Sequence, residues 1–90
     1  MSYALRLESH AERQLRALPD SVLKRVDVRL RGLAANPRPS GTVKLKGREG
    51  EGWRIRVGDY RILYTIDDAA RRVIVYRIGL RSRVYRGGQR

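Results

Sequence analysis

The residues best suited to chemistry are arginines and a tyrosine in the last third of the chain, residues 53–86. One group alternates with apolar residues in the stretch WRIRVGDYRILYTID and comprises Arg54, Arg56 and Arg61. A second group follows it: Arg77, Arg81, Arg83, Tyr85 and Arg86. Guanidinium groups bind phosphate in a planar, forked geometry, and like charges crowded on one face favour the binding of an anion. The expected anion is the backbone of a nucleic acid.

The other residue types limit the reaction that such a site could perform. The chain has no cysteine, no Walker-type phosphate loop, and a single histidine, His10, in the predicted first turn of a helix. An enzyme built from these residues would use arginines and a tyrosine without a metal or other cofactor. RNA cleavage suits that set, because the ribose 2′-hydroxyl supplies the nucleophile. The nearby acidic residues lie in predicted turns or a loop and form no clear acid–base pair or metal cage: Glu49, Glu51, Asp59, Asp67 and Asp68.

Size and charge set broader limits. Ninety residues make one domain with a modest core, predicted to span residues 1–90. The 21 lysines and arginines against 9 acidic residues give a net charge of +12, which predicts salt-sensitive binding to polyanions. The same charge could serve solubility alone, or could meet an acidic protein partner. The lack of cysteine, of a leader-like segment and of an apolar run of about 20 residues suits a cytoplasmic protein.

The spacing of apolar residues predicts the elements that position these side chains. Residues 2–7 form a predicted strand, and a short helix follows, with Ser9 as its N-cap and Glu12 reaching back in a capping box. Pro19 ends this helix, and Asp20 is the predicted N-cap of a longer one. The two helices would form a hairpin able to cover one face of a sheet. The apolar stripe of the longer helix comprises Val22, Leu23, Val26, Leu30 and Leu33.

The remaining pattern is rich in strands. A short strand is predicted at residues 43–45, a glycine-rich loop at 47–52, and three longer strands at 53–57, 60–66 and 72–78. Gly58 and Asp59 fit a two-residue type II′ turn, because glycine readily adopts the positive φ that the turn requires. In the register that this turn sets, Arg56 lies opposite Arg61.

This register divides the hairpin into two faces, because directly opposed residues share a face. One face carries Arg54, Arg56 and Arg61 around Leu63, with no acidic partner in register. It is either a solvated face, as antiparallel sheets often have, or the phosphate-binding surface that we favour. The second arginine group is either a frayed tail or is held beside this surface by Leu80, Val84 and Tyr85. The other face is the expected core face and comprises Trp53, Ile55, Val57, Tyr60, Ile62 and Tyr64.

The stretches WRIRVGDYRILYTID and VIVYRIGLRSRVYR, behind a strand and a helix pair joined at Pro19 and Asp20, resemble the RelE/ParE superfamily of toxins from toxin–antitoxin systems. The resemblance covers nearly the whole chain and is closer to the RelE branch. It implies an α+β fold, a small twisted antiparallel sheet with two N-terminal helices packed on one face. It also implies a ribosome-dependent mRNA endoribonuclease that enters the ribosomal A site and promotes 2′-hydroxyl attack, leaving a 2′,3′-cyclic phosphate. The implied partners are the ribosome, mRNA and a RelB-like antitoxin.

The resemblance also implies roles for individual residues. Arg61 matches the arginine that stabilises the phosphate, and Arg81 matches the proposed general acid or leaving-group stabiliser. Tyr85 matches the tyrosine that stacks on a base or activates the hydroxyl. The residues expected to bind RNA without reacting are Arg54, Arg56, Arg77 and Arg83.

The chain departs from the family pattern in two respects, and two alternative functions remain to be distinguished. Relatives often carry lysine at the positions of Arg54 and Arg56, so backbone binding rather than a base role is expected of these arginines. Some relatives continue into a C-terminal helix that the antitoxin displaces, whereas only residues 86–90 follow Tyr85 here. The alternatives are a ParE-like inhibitor of gyrase, which shares the fold, and a non-catalytic nucleic-acid-binding module.

Overall fold

A computed structural model of the protein describes residues 2–85. One strand and the two longer helices come first in the chain, and the other four strands and a short helix follow. In chain order they are β1 (Ala4–Leu7), α1 (Ser9–Arg16), α2 (Asp20–Ala35), β2 (Val43–Lys44), a 3-10 turn (Gly47–Glu49), β3 (Trp53–Val57), β4 (Tyr60–Asp67), β5 (Arg72–Leu80) and α3 (Arg81–Val84).

The five strands form one sheet in the order β1-β5-β4-β3-β2. The pairs from β2 to β5 are antiparallel, and β1 joins the outer edge of β5 in parallel. The predicted α+β fold is confirmed, and the parallel edge pair is a feature that the expected antiparallel sheet did not include. A parallel pair needs a long connection, which the helices and the central strands together provide.

The predicted register of the β3–β4 hairpin is confirmed. Val57 lies opposite Tyr60, Arg56 opposite Arg61, and the pairing continues to the far end of β3. Gly58 has a φ of +60°, as the predicted turn requires. The next pair, β4 with β5, contains an irregularity between Leu63 and Tyr64 that shifts the register by one residue on β5.

Helices α1 and α2 cover one face of the sheet, and the main core lies between these helices and the sheet. Its buried members come from α1, α2 and strands β3 to β5. The predicted core face lies within it or, in the case of the half-buried Trp53, packs against it, whereas the half-buried Tyr60 is not part of it. A second, smaller core lies on the opposite face, where the sequence predicted only a charged surface around Leu63. Its buried members are Leu45, Leu63 and Val84, with Tyr76 and Tyr85 packed against them.

The predicted helix caps at Ser9 and Asp20 are wrong. Both residues are the first residues of their helices, and the N-cap positions fall on Glu8 and Pro19, without a side-chain capping bond. The reason at α1 is that the Glu8 N–H donates to the carbonyl of Val75, which keeps the chain extended through Glu8. The capping box with Glu12 is therefore absent.

One cluster of hydrogen-bonded polar side chains connects three segments that are distant in sequence. The Tyr3 hydroxyl donates to Asp68 Oδ1 at 2.6 Å, and Arg38 donates to both Asp68 oxygens, at 3.3 and 3.0 Å. The bonds from Arg38 and then Tyr3 lower the pKa of Asp68 below its ordinary value of 3.8. The cluster therefore ties the residue before β1 and the segment after α2 to the turn between β4 and β5.

We expect this cluster to make stability fall in acid. Because the folded-state pKa of Asp68 lies below its unfolded value, its contribution is present above about pH 4 and is lost as pH falls further. Asp68→Asn should unfold at lower temperature than the wild type at pH 6, with a smaller difference at pH 3. Asp67→Asn is the control, because it keeps Asp68 and retains an acceptor for the Ala70 N–H. An unchanged difference between pH 6 and pH 3 would show that the carboxylate does not stabilise the fold.

Candidate functional site

An open cleft of about 330 Å³ lies on the face of the sheet opposite the two long helices. Strand β3 contributes two of its arginines, strand β4 contributes one, and α3 with the residue after it contributes an arginine and a tyrosine. The cleft therefore unites five of the residues that the sequence singled out, and adds one acidic residue. Its lining comprises Glu49, Arg54, Arg56, Arg61, Arg81 and Tyr85.

Two contacts place the start of α3 beside the hairpin. The backbone N–H of Arg81 donates to the carbonyl of Asp59 at 2.8 Å, so α3 begins against the β3–β4 turn. One turn further on, Val84 is buried against Leu63 in the second core, and Tyr85 packs against the same cluster. These contacts exclude the frayed-tail alternative for the chain as far as Tyr85. Arg86 lies outside the described residues.

Arg61 is the most unusual residue of the cleft, because only 5% of it is exposed. Its Nη1 atom donates to the carbonyls of Gly58 and Tyr60, each at 3.0 Å, so the side chain closes the turn of its own hairpin. Within residues 2–85 it forms no ion pair with a carboxylate. Burial, followed by the charges of Arg56 and Arg54, lowers the pKa of its guanidinium. The expectation that Arg61 is exposed is therefore wrong, although it does border the cleft.

The other arginines of the cleft are better exposed. Arg56 and Arg81 are exposed, and Arg54 is half-buried, as is Tyr85. In the described part of the chain, none of these arginines forms an ion pair with a carboxylate. A buried guanidinium beside three such cations is electrostatically unfavourable, and an anion in the cleft would offset that cost.

Two predicted RNA-binding residues do not line the cleft. Arg77 lies on β5 opposite Leu63, half-buried, and its Nε atom is buried without a hydrogen-bond acceptor among residues 2–85. Arg83 is exposed on α3. A role of either residue in RNA binding stays a prediction.

Two features around the cleft were not predicted from the sequence. The first is Glu49, which the 3-10 turn places in the lining. In the sequence, the spacing of three residues between Lys46 and Glu49 is the signal for this turn. The loop that contains them connects β2 and β3, which pair with each other. The second is a groove of about 450 Å³ between α2 and the hairpin turn, which shares Arg56 with the cleft. Its lining comprises Lys24, Arg25, Val28, Arg29, Arg56, Val57 and Gly58.

The part of the chain that the structure describes offers neither a metal-binding cluster nor a membrane-spanning helix. No group of three or more histidine, cysteine, aspartate or glutamate side chains is arranged to hold a metal ion there. Across the same residues, none of the helices has both the length and the apolar character that a membrane crossing requires.

Comparisons with known proteins agree with this architecture. A family model described as "ParE toxin of type II toxin-antitoxin system, parDE" matches residues 5–85. A search of curated proteins found no match. Among solved structures, the toxin–antitoxin complex RelBE2 from Mycobacterium tuberculosis contains a chain with 29% identity and a TM-score of 0.78, covering 90% of this chain and 100% of that one.

Two further structures extend the comparison. The isolated RelE toxin of E. coli is 26% identical with a TM-score of 0.74, over 97% of this chain and 95% of that one. The archaeal RelE–RelB complex from Pyrococcus horikoshii is 23% identical with a TM-score of 0.77, over 93% of this chain and 100% of that one, which shows the shared fold.

The fold and these matches define a toxin of a toxin–antitoxin system. The chain belongs to the ParE toxin family within the RelE/ParE superfamily, and its structural neighbours are consistent with the RelE-like branch. The resemblance drawn from the sequence is thereby confirmed.

Proposed function

We propose that this toxin is a ribosome-dependent mRNA endonuclease that acts in the cytoplasm without a metal ion. The observation that carries the proposal is Arg61, buried to 95% beside the cleft, with Arg54, Arg56 and Arg81 around it and no carboxylate paired with any of them in the described chain. Such a group of cations is suited to the pentavalent phosphorane that forms during RNA cleavage, because that species carries more negative charge than the phosphodiester.

The cleft supports a division of labour among its residues. Nη1 of Arg61 is used by the hairpin turn, so its remaining donors can stabilise the reacting phosphate. Arg54 and Arg56 lie two residues apart on β3 and would hold the RNA backbone. Arg81 would stabilise the charge that develops on the leaving 5′-oxygen, and Tyr85 would stack on a base at the cleft edge.

An antitoxin would inhibit this reaction by covering the arginines. The chain carries a net charge of +12, so a partner that presents acidic residues to the cleft would gain strongly from complementarity. The relative from Mycobacterium tuberculosis was solved as a toxin–antitoxin complex, RelBE2. We therefore propose that the cognate partner is a RelB-like protein.

A reconstituted translation reaction tests the proposal. The purified protein should cut mRNA within the codon in the ribosomal A site and leave a 2′,3′-cyclic phosphate at the new end. The same RNA without ribosomes should stay intact, because the exposed cleft alone does not bend a free strand into the geometry for 2′-hydroxyl attack. If the mRNA remains whole on translating ribosomes, the proposal is wrong.

A second candidate function is the inhibition of gyrase, which the ParE description of the matching family favours. This function requires no RNA chemistry, so it predicts loss of DNA supercoiling by purified gyrase while translation in the reconstituted reaction continues. A passive nucleic-acid-binding module would do neither, and its binding would weaken steeply as salt is added. Running the translation and supercoiling assays on one preparation separates the three functions.

A further inference from the structure

The cleft contains one side chain that can accept a proton at neutral pH. Of its lining residues, four are arginines, whose guanidinium groups only donate hydrogen bonds, and one is a tyrosine, whose hydroxyl group is not an ordinary base. The remaining one is Glu49. The chain's only histidine, His10, lies on α1 and is absent from the cleft lining. A 2′-hydroxyl bound in the cleft therefore has one ordinary general base beside it.

The loop around Glu49 holds this carboxylate in place. Its Oε1 atom accepts a hydrogen bond from the backbone N–H of Lys46 at 3.0 Å, and its own N–H donates to the Lys46 carbonyl at 3.1 Å. Together these bonds close the 3-10 turn at Gly47–Glu49. Because Oε2 takes no part in the turn, one carboxylate oxygen is used for positioning and the other is left for chemistry.

The chain beyond the turn is anchored as well. The Leu45 N–H donates to the carbonyl of Gly52 at 2.9 Å, and Leu45 itself is buried in the second core beneath the cleft. The Tyr76 hydroxyl donates to the carbonyl of Glu51 at 2.6 Å. The loop is thus fastened to β5 and to the second core, and it presents Glu49 to the arginines.

We propose that Glu49 is the general base of this toxin, an inference that rests on the proposed endonuclease function. Glu49 takes the proton from the ribose 2′-hydroxyl while the 2′-oxygen bonds to phosphorus. The bond between phosphorus and the 5′-oxygen breaks, and the leaving oxygen takes a proton from water in the field of Arg81. The products are a 2′,3′-cyclic phosphate and a free 5′-hydroxyl, and Glu49 returns its proton to solvent.

Replacing Glu49 by Gln tests the role of the carboxylate without removing the turn. The Gln side chain keeps an oxygen that can accept from Lys46 N–H, so folding is preserved, but the amide is not a base. We expect the single-turnover rate of mRNA cleavage on ribosomes to fall about 100-fold, with RNA affinity equal to or higher than that of the wild type. Glu51→Gln is the matched control, since it removes the same charge from the same loop outside the cleft lining, and should cleave at the wild-type rate.

The pH dependence separates a base from a residue that only positions the loop. The wild-type rate should show a limb that rises with pH as the general base loses its proton, and this limb should be absent in Glu49→Gln. Glu49→Asp keeps a carboxylate and should restore part of the rate together with the limb. Wild-type cleavage with an unchanged pH profile in Glu49→Gln would overturn this inference while leaving the endonuclease function standing. A wild-type protein that cuts no mRNA would overturn both.

Discussion

Replacing Arg81 by Ala is expected to lower the single-turnover rate of mRNA cleavage on ribosomes by about 1,000-fold, the larger end of what one lost electrostatic donor costs. The fold should survive the change. The Arg81 side chain is exposed, and the bond that joins α3 to the hairpin turn is made by its backbone N–H, which alanine retains. The thermal unfolding midpoint should therefore stay close to that of the wild type.

Arg83→Ala is the matched control for this prediction. It removes the same charge from the same four-residue helix, but Arg83 is exposed and lies outside the cleft lining. Because Arg83 is expected to bind RNA without reacting, we expect a much smaller loss than in Arg81→Ala, about tenfold at most. An equal loss in both variants would mean that the helix contributes bulk charge, and an unaffected Arg81→Ala protein would remove Arg81 from the reaction.

Replacing Gly52 by Ala is expected to destabilise the fold by about 3 kcal/mol or more, which corresponds to a fall in unfolding temperature of about 12 °C or more. Gly52 has a φ of +86°, and a Cβ atom there would lie 2.2 Å from the carbonyl oxygen of Tyr64, far closer than two non-bonded atoms approach. The contact is with backbone in a central strand, so it cannot be relieved by turning a side chain. Thermal unfolding followed by circular dichroism measures the effect.

Gly32→Ala provides the opposite control. Gly32 lies inside α2, is exposed, and has open space within 4 Å of the position that a Cβ would take. Alanine is the better helix former by about 1 kcal/mol, so this variant should unfold at a higher temperature than the wild type. If Gly52→Ala melts at the wild-type temperature, the loop before β3 does not approach β4 closely enough to exclude a Cβ atom at this position.

The hairpin could be predicted residue by residue because its turn is short. Two residues between two strands leave one register in which the apolar side chains share a face, and Gly58 is suited to the positive φ of that turn. The same reasoning brought Arg54, Arg56 and Arg61 to one face, and the cleft is built on them. Local pattern and local geometry were sufficient there.

The burial of Arg61 could not be predicted in this way. Alternation along a strand assigns a side chain to a face, but it does not tell whether later parts of the chain cover that face. Here Val84 of α3 packs on Leu63, and Leu45 reaches the same cluster from before β3, so a surface expected to be solvated acquires a small core. Contacts between segments distant in sequence produce that core, and they leave no periodic signal.

The helix caps and the position of Glu49 were missed for a related reason. A capping box is a local pattern, but the strand bond from Glu8 to Val75 decided where α1 begins. Glu49 sits in a loop whose composition suggested flexibility, yet its own side chain closes a turn there. In both places a single hydrogen bond outweighed the intrinsic preference of the local sequence.

Arg61 contributes both to the hairpin turn and to the cleft, which links the toxicity of this protein to its folding. The same guanidinium closes the hairpin turn through Gly58 and Tyr60 and borders the cleft. Removing it takes a donor away from two partly buried carbonyls, in addition to any loss of activity. Cells selected to survive expression of this toxin should therefore carry Arg81 substitutions as abundant, inactive protein, and Arg61 substitutions as protein that proteases remove.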